Sequence, residues 1–374
     1  MKLLSTVIPY LLLVSFFSGQ LTTFNDKQIN IVNLSNYNGI AIPLIEAYNV
    51  NKYKIGDFSS QVNKLTQKCH KDIWPWVFFN RFVGFDPEQK SLSSKSNKDY
   101  FRRIKGMDLY NKNNALQDFF DIWAMALHIA KDLDSPGIVV DPELYNNYKA
   151  KNLSYLMKKM GKSKQEIISR LEQIGTELAE LTDSIYPEAK IWFLFTGLGA
   201  KRNSANGMEY ALSFSYIIKG MLQTIKNKKF KSKIIAGGES YPWGYCYESL
   251  STLSDKINER YRSFAEEMNS FPALVLGGTI APWAKVEDKK SWMLTREECK
   301  LAPQNNINDF KPYFNLLFKS YRYVWIYAAS AAGFDPYDSE RYPIFDKAFS
   351  DVLALFDDTT MSAPDNLHVS SITN

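Results

Sequence analysis

The 374-residue chain is predicted to be an α/β protein, a (β/α)8 barrel of the TIM type, and three observations predict it. From about residue 57 onward, segments with helical periodicity alternate with short apolar runs. Those runs are apolar at nearly every position, as parallel strands buried on both faces require. Seven or eight such units occur without a glycine-rich phosphate loop, which favours a barrel over a doubly wound sheet. With 45% apolar and 14% aromatic residues, the chain can fill so large a core.

The units follow in order. "GIAIPLIEAY" around Ile40 comes first, and a helical segment at Phe58–Leu65 leads into "DIWPWVFFN". The segment Asn114–Leu133 carries Leu116, Phe119, Phe120, Trp123, Leu127 and Ala130 on one face, then runs into "GIVVD". Ser163 opens "SKQE", a capping box with Glu166 three positions on, and the helix it starts stops before Pro187. "AKIWFLFTG" follows. Helices near Met208–Ile225, Ser254–Met268 and Phe310–Tyr321 precede "KIIAGGES", "PALVLGGTIAPW" and "YRYVWIYAAS". Strands thus start near Ile40, Ile73, Gly137, Lys190, Lys233, Ala273 and Tyr323, and "INIVNL" at 30–35 is an eighth strand or a lid strand. Long loops fall at 83–113 and 283–308, and a degraded βα unit would fit in the first.

The first residues, "MKLLSTVIPYLLLVSFFSGQ", combine Lys2, an apolar run of about fifteen residues and small residues at Ser18 and Gly19, the pattern of a secretory signal peptide. The run is shorter than the roughly 20 residues of a membrane-spanning helix. The expected organisation is a signal peptide at 1–19, one barrel domain at 20–358 and a disordered tail at 359–374, in a secreted or extracytoplasmic protein. A buried or membrane-anchoring N-terminal helix is the other reading of that run. Three cysteines, Cys69, Cys246 and Cys299, allow at most one disulfide and show no metal-ligand spacing. Net charge is +5, with both signs interspersed, so nothing points to nucleic acid. The densest basic run, "KNKKFKSK" at 226–233, precedes a strand and therefore belongs to the face of the barrel opposite the expected site.

With three histidines in the chain, acid–base chemistry falls to carboxylates. In a barrel the site lies at the carboxyl ends of the strands. Collected there are Glu46, Trp76, Asn80, Arg81, Asp141, Glu143, Thr196, Glu239, Tyr241, Trp243, Thr279, Trp283, Trp325, Tyr327 and Ser330. That set suits sugar chemistry. A glycosidic bond is cleaved between two carboxyl groups, one a proton donor and one a nucleophile or base. Indole and phenol rings offer flat apolar faces to sugar C–H groups. Glu143, after an apolar strand and beside Asp141, is the candidate general acid, because desolvation and a neighbouring charge both raise a carboxyl pKa. Glu239, after Gly237-Gly238, is the candidate opposing carboxylate, and Asp141 completes the catalytic set. Glu46, Trp76, Asn80, Arg81, Tyr241, Trp243, Trp283, Trp325 and Tyr327 are the candidate substrate-binding residues. No cofactor or metal is called for.

Plainer readings stand beside these. Asp141-Pro142 is a favoured turn opener, and Glu239 and Arg81 would make a structural ion pair. Single tryptophans pack cores, and Asp141, Glu143 and Glu239 together would also suit a hard cation such as Ca²⁺ or Mg²⁺.

"GIVVDPELY" resembles the fourth-strand signature of family 18 glycoside hydrolases (chitinase-like), D-G-x-D-x-D-x-E-Y, which ends in the catalytic acid. Gly137, Asp141, Glu143 and, displaced by one, Tyr145 match; Pro136 and Val139 stand where the signature has its earlier aspartates, and Pro142 replaces its tryptophan. The resemblance implies that Glu143 is the acid and that Asp141 orients a substrate acetamide. More broadly, residues 37–357 resemble secreted glycoside-hydrolase-like barrels, including those with a "YVWIYAAS"-type last strand. The expected function is a secreted glycoside hydrolase acting on a poly- or oligosaccharide. The alternatives are a carbohydrate-binding barrel without catalysis and a metal-dependent hydrolase.

Overall fold

A computed structural model of the chain describes residues 10–16, 38–45, 66–78, 108–111, 114–142, 153–194, 196–198, 212–238, 247, 249–280, 307–329, 347, 350–352 and 354. The architecture is α/β, a curled parallel sheet with helices on its outer face. The strands are β1 (Tyr10–Phe16), β2 (Gly39–Ile45), β3 (Asp72–Phe78), β4 (Gly137–Asp141), β5 (Lys190–Phe193), β6 (Lys233–Ala236), β7 (Leu274–Ile280) and β8 (Tyr323–Ala329). The helices are α1 (Asn114–Asp132), α2 (Leu153–Met160), α3 (Lys164–Ile185), α4 (Leu212–Lys228), α5 (Leu250–Ser270) and α6 (Ile307–Ser320). Each strand is hydrogen-bonded to its chain neighbour, and β1 pairs with β8 from Tyr10↔Tyr323 to Phe16↔Ala329, which closes the ring.

All seven expected strands are present, Tyr10–Phe16 is a further strand of the ring, and "INIVNL" lies outside the described residues. This strand falls inside the stretch whose composition suggests a leader. An uninterrupted apolar run satisfies a leader's central segment and a two-sided buried strand equally, so composition alone does not separate them. Cleavage near Gly19 would detach β1 and leave β8 and β2 with unpaired edges.

Burial follows the two-residue period of a strand. Ile138 and Val140, Ile191 and Phe193, Ile234 and Ala236, Leu274 and Leu276, and Val324 and Ile326 join the outer core beneath the helices. The intervening Trp74, Trp76, Val139, Trp192, Ile235 and Trp325 are also buried, on the opposite face. There Trp192 of β5 meets Trp74 of β3 and Tyr323 of β8, each with ring centroids 5.7 Å apart and edge-to-face. Contacts between strands so far apart in the order run through the middle of the ring, which is therefore packed solid rather than open.

The helices match their signals. Asn114 opens α1, and its Trp123 Nε1 donates to Thr182 Oγ1 of α3 at 3.0 Å. Ser163 caps α3 as predicted: its side chain accepts from the Glu166 N–H, and the Glu166 carboxylate accepts from the Ser163 N–H at 2.8 Å. The helices α3 and α4 cross where Gly175 faces the Ile217 carbonyl and Gly220 faces the Glu172 carbonyl; a Cβ at Gly220 would stand 2.0 Å from that oxygen. Pro187 follows the end of α3. On the face below, Lys228 pairs with Glu180 at 2.6 Å and Lys231 with Glu188 at 2.9 Å, so these residues of the lysine run are solvated ion pairs. Cys69 is a buried free thiol, and burial raises its pKa.

Candidate functional site

The "GIVVD" strand is β4, the fourth of the ring. Its last residue, Asp141, is 1% exposed, and Pro142 after it is buried as well. By strand alternation Asp141 lies on the same face as Val139, toward the ring interior, and its register partner on β3 is Phe78. A buried carboxylate at the carboxyl end of a barrel strand is placed where barrels carry their chemistry. Val139, in a slot where the signature carries an aspartate, is wholly buried and apolar.

Of the sequence-derived candidates, Trp76, Asp141, Thr196, Thr279 and Trp325 are described with their side chains, and Tyr327 lies within β8. Trp76 and Trp325 are each 0% exposed. Both occupy inward positions below the rim: Trp76 two residues before the end of β3, and Trp325 four residues before the end of β8. At about 3.3 Å per residue, Trp325 sits roughly 13 Å along the strand from that end. Glu46, Asn80, Arg81, Glu143, Glu239, Tyr241, Trp243 and Trp283 lie outside the described residues. No three His, Cys, Asp or Glu side chains converge among the described residues.

The ends of β4, β5 and β6 are tied in series. The Leu194 N–H donates to the Val140 carbonyl at 3.0 Å, the Gly237 N–H to the Phe193 carbonyl at 2.7 Å, and the Gly238 N–H to the Leu194 carbonyl at 3.1 Å. Thr196 is buried beyond β5, and its Oγ1 accepts from the Leu198 N–H at 3.2 Å in a tight turn. Thr279, the β7 candidate, is 1% exposed, and its Oγ1 has no hydrogen-bond partner. Its carbonyl accepts from the Tyr247 hydroxyl at 3.2 Å.

Two residues that the sequence reading passed over lie behind this face. Arg260 of α5 is 2% exposed, and its guanidinium donates to the carbonyls of Ala236 at 2.6 Å, Gly237 at 2.9 Å and Gly277. Its Cζ lies 5.3 Å from the Tyr321 ring centroid, a cation–π contact. Tyr247, fully buried, is held by burial above the ordinary phenol range, so it donates to Thr279 as a neutral hydroxyl. A signal for Arg260 existed: Leu253, Ile257, Arg260 and Phe264 form the buried stripe of α5, and an arginine in an apolar stripe marks a charge with a buried partner.

No protein-family model matches the chain, and no curated protein matches it. Among solved structures it is similar to a family 5 xyloglucanase from Paenibacillus pabuli, with 10% identity over 94% of this chain and 100% of that one and a TM-score of 0.52. It is also similar to the catalytic domain of the β-amylase from Paenibacillus polymyxa, with 9% identity over 91% and 98% of the two chains and a TM-score of 0.47. A sugar phosphate isomerase/epimerase from Parabacteroides distasonis matches at 9% identity over 94% and 99%, with a TM-score of 0.39. At such identities the likeness to the xyloglucanase speaks for the fold alone, and the other two are too loose to add to it.

Proposed function

We propose that the chain is a glycoside hydrolase that cleaves a poly- or oligosaccharide at the carboxyl-end face of a (β/α)8 barrel. Glu143 is the general acid and Glu239 the opposing carboxylate. The observation that carries this reading is the series β4–β5–β6: Asp141 ends β4 in the ring interior, Glu143 follows it, and Glu239 follows the end of β6. Two interstrand spacings of about 4.8 Å separate the backbones of β4 and β6, and side chains that lean toward each other shorten that gap. The resulting range overlaps the roughly 5–9.5 Å over which paired carboxyl groups act in glycosidases.

In the proposed reaction the proton of Glu143 passes to the glycosidic oxygen as the bond from that oxygen to the anomeric carbon breaks. Glu239 either bonds to the anomeric carbon or takes a proton from the water that attacks it. Asp141 holds the substrate group next to the reacting bond. Glu46, Asn80, Arg81, Tyr241, Trp243, Trp283 and Tyr327 are proposed to line the sugar sites. The wholly buried Trp76 and Trp325 form the floor beneath them.

The test is the release of reducing ends from a panel of β-glucans, chitin, xylan and xyloglucan. Glu143→Gln and Glu239→Gln are each expected to lower kcat on the order of 10²–10⁴-fold, the range of acid–base catalysis, with glycan binding retained. If both variants hydrolyse as well as the unchanged protein, the assignment is wrong.

A second reading, a carbohydrate-binding barrel without catalysis, is favoured by the apolar, fully buried Val139 in the place of a signature aspartate. It predicts saturable glycan binding with no reducing ends released. Export is proposed with either reading and is decided by the N-terminus of the protein made in its own host. A first residue near Gln20 supports a cleaved leader, and a chain that still carries Tyr10–Phe16 overturns it. No helix among the described residues is long and apolar enough to cross a membrane.

A further inference from the structure

The geometry points to Arg260 as a positioning residue: it sets the direction in which the chain leaves β6 and thereby places the carboxylate that follows, an inference that rests on the reading of Glu239 above. The ladder between β6 and β7 ends at Ala236↔Leu276. Beyond it, Gly237 and Gly238 turn their N–H groups to β5. Past this point the carbonyls of Ala236, Gly237 and Gly277 accept from a side chain, and buried carbonyls are rarely left unpaired. Arg260 supplies all three donors from one planar guanidinium.

The glycine pair is shaped to this contact. Gly238 has φ +136°, a region that L side chains rarely adopt, and a Cβ there would stand 2.5 Å from Arg260 Nη1. A Cβ on Gly237 would stand 2.5 Å from the Leu194 carbonyl oxygen. The two glycines therefore thread between β5 in front and a guanidinium behind, and the next residue is Glu239. The far end of the same connection is fixed as well, because Tyr247 donates to the Thr279 carbonyl on β7. Between these anchors lie Glu239, Tyr241 and Trp243, three of the proposed site residues. Its guanidinium thus sits on backbone oxygens at the strand end that leads into Glu239.

Three variants and two readouts test this. Arg260→Lys keeps the charge and loses the fork. Gly238→Ala keeps the arginine and blocks its approach. Amide hydrogen exchange, followed by mass spectrometry on the full chain, is expected to quicken at least tenfold over residues 237–247 in both variants while β4 and β8 stay within about twofold, as a local opening demands. Hydrolysis by both variants is expected to fall on the order of 10²-fold in kcat with KM little changed, the effect of a misplaced catalytic group. Free guanidinium is expected to restore part of the rate to Arg260→Ala. Unchanged exchange over 237–247, or a rise spread equally over the barrel, overturns the positioning role. If Arg260→Lys does not fold, Gly238→Ala carries the same two outcomes. If the unchanged protein hydrolyses no glycan, the proposed function falls, and the exchange measurement still decides the role of Arg260 alone.

Discussion

Two buried indoles with opposite hydrogen-bonding states make a sharp test of the barrel interior. Trp123 is 1% exposed and donates to Thr182 Oγ1 at 3.0 Å. Trp192 is 0% exposed, sits between Trp74 and Tyr323, and its Nε1 has no acceptor. Changing either to Phe removes the same atoms. A residual cavity of roughly 40 Å³ at about 24 cal/mol per Å³ costs about 1 kcal/mol in each case. For Trp123→Phe the lost hydrogen bond adds about 1 kcal/mol, and the Thr182 hydroxyl keeps its own bond to the Leu178 carbonyl at 2.7 Å, so the sum is about 2 kcal/mol. For Trp192→Phe the change also removes a buried, unsatisfied donor, whose burden is about 1–3 kcal/mol, and the net lies near zero or slightly on the stabilising side. Urea unfolding followed by far-UV circular dichroism, which does not depend on the altered indoles, gives both values at comparable m. A Trp192→Phe variant that loses as much stability as Trp123→Phe, or more, would refute the picture of an interior indole held only by packing.

Further outcomes follow from the same contacts. Gly220→Ala would bring a Cβ to 2.0 Å from the Glu172 carbonyl oxygen and force α3 and α4 apart. The expected loss is about 3 kcal/mol, the upper end of overpacking, and a loss below about 1 kcal/mol in urea would contradict the crossing described. Ser163→Ala is expected to cost about 1 kcal/mol by removing the α3 cap. Within that box, hydrogen bonds from the Ser163 backbone and side chain, and then from Lys162, lower the Glu166 pKa to about 2. A carboxyl depressed in the folded state stabilises above its unfolded pKa and loses that contribution as pH falls through the folded value. Thermal melts of the native protein should therefore weaken relative to Glu166→Gln between about pH 4.5 and 2, whereas parallel curves would show the box to be idle. Lys228→Ala and Lys231→Ala, which break exposed ion pairs, should each shift stability by less than about 1 kcal/mol and leave glycan binding unchanged in a pull-down.

Much of the fold is legible because its signals are local. The 3.6-residue stripes of α1 and α3, the Ser163–Glu166 box and the β-branched run "GIVVD" each specify their element within a dozen residues. Features that depend on distant partners are not. Tyr10–Phe16 has the composition of a leader, and only its ladders to β2 and β8 show it as a strand. Trp76 and Trp325 are correctly placed on strands, but whether an indole is at the mouth or covered depends on its depth along the strand and on what packs over it from strands far away in sequence. Arg260 was passed over for the same reason: its partners are carbonyls of Ala236, Gly237 and Gly277, and a backbone carbonyl carries no sequence signature. Gly237-Gly238 shows in the sequence only as a glycine pair before Glu239. The described group that approaches Gly238 is a guanidinium.

The central claim is that Glu143 and Glu239 act on one glycosidic bond, and the most direct measurement is the separation of their carboxyl groups in a crystal structure with a bound oligosaccharide. The account predicts that both face one cleft across the sugar, at roughly 5 Å for a retaining enzyme or 6.5–9.5 Å for an inverting one. A Glu239 locked in a buried ion pair with Arg81, or a Glu143 that points away from the cleft as part of a turn, would contradict it.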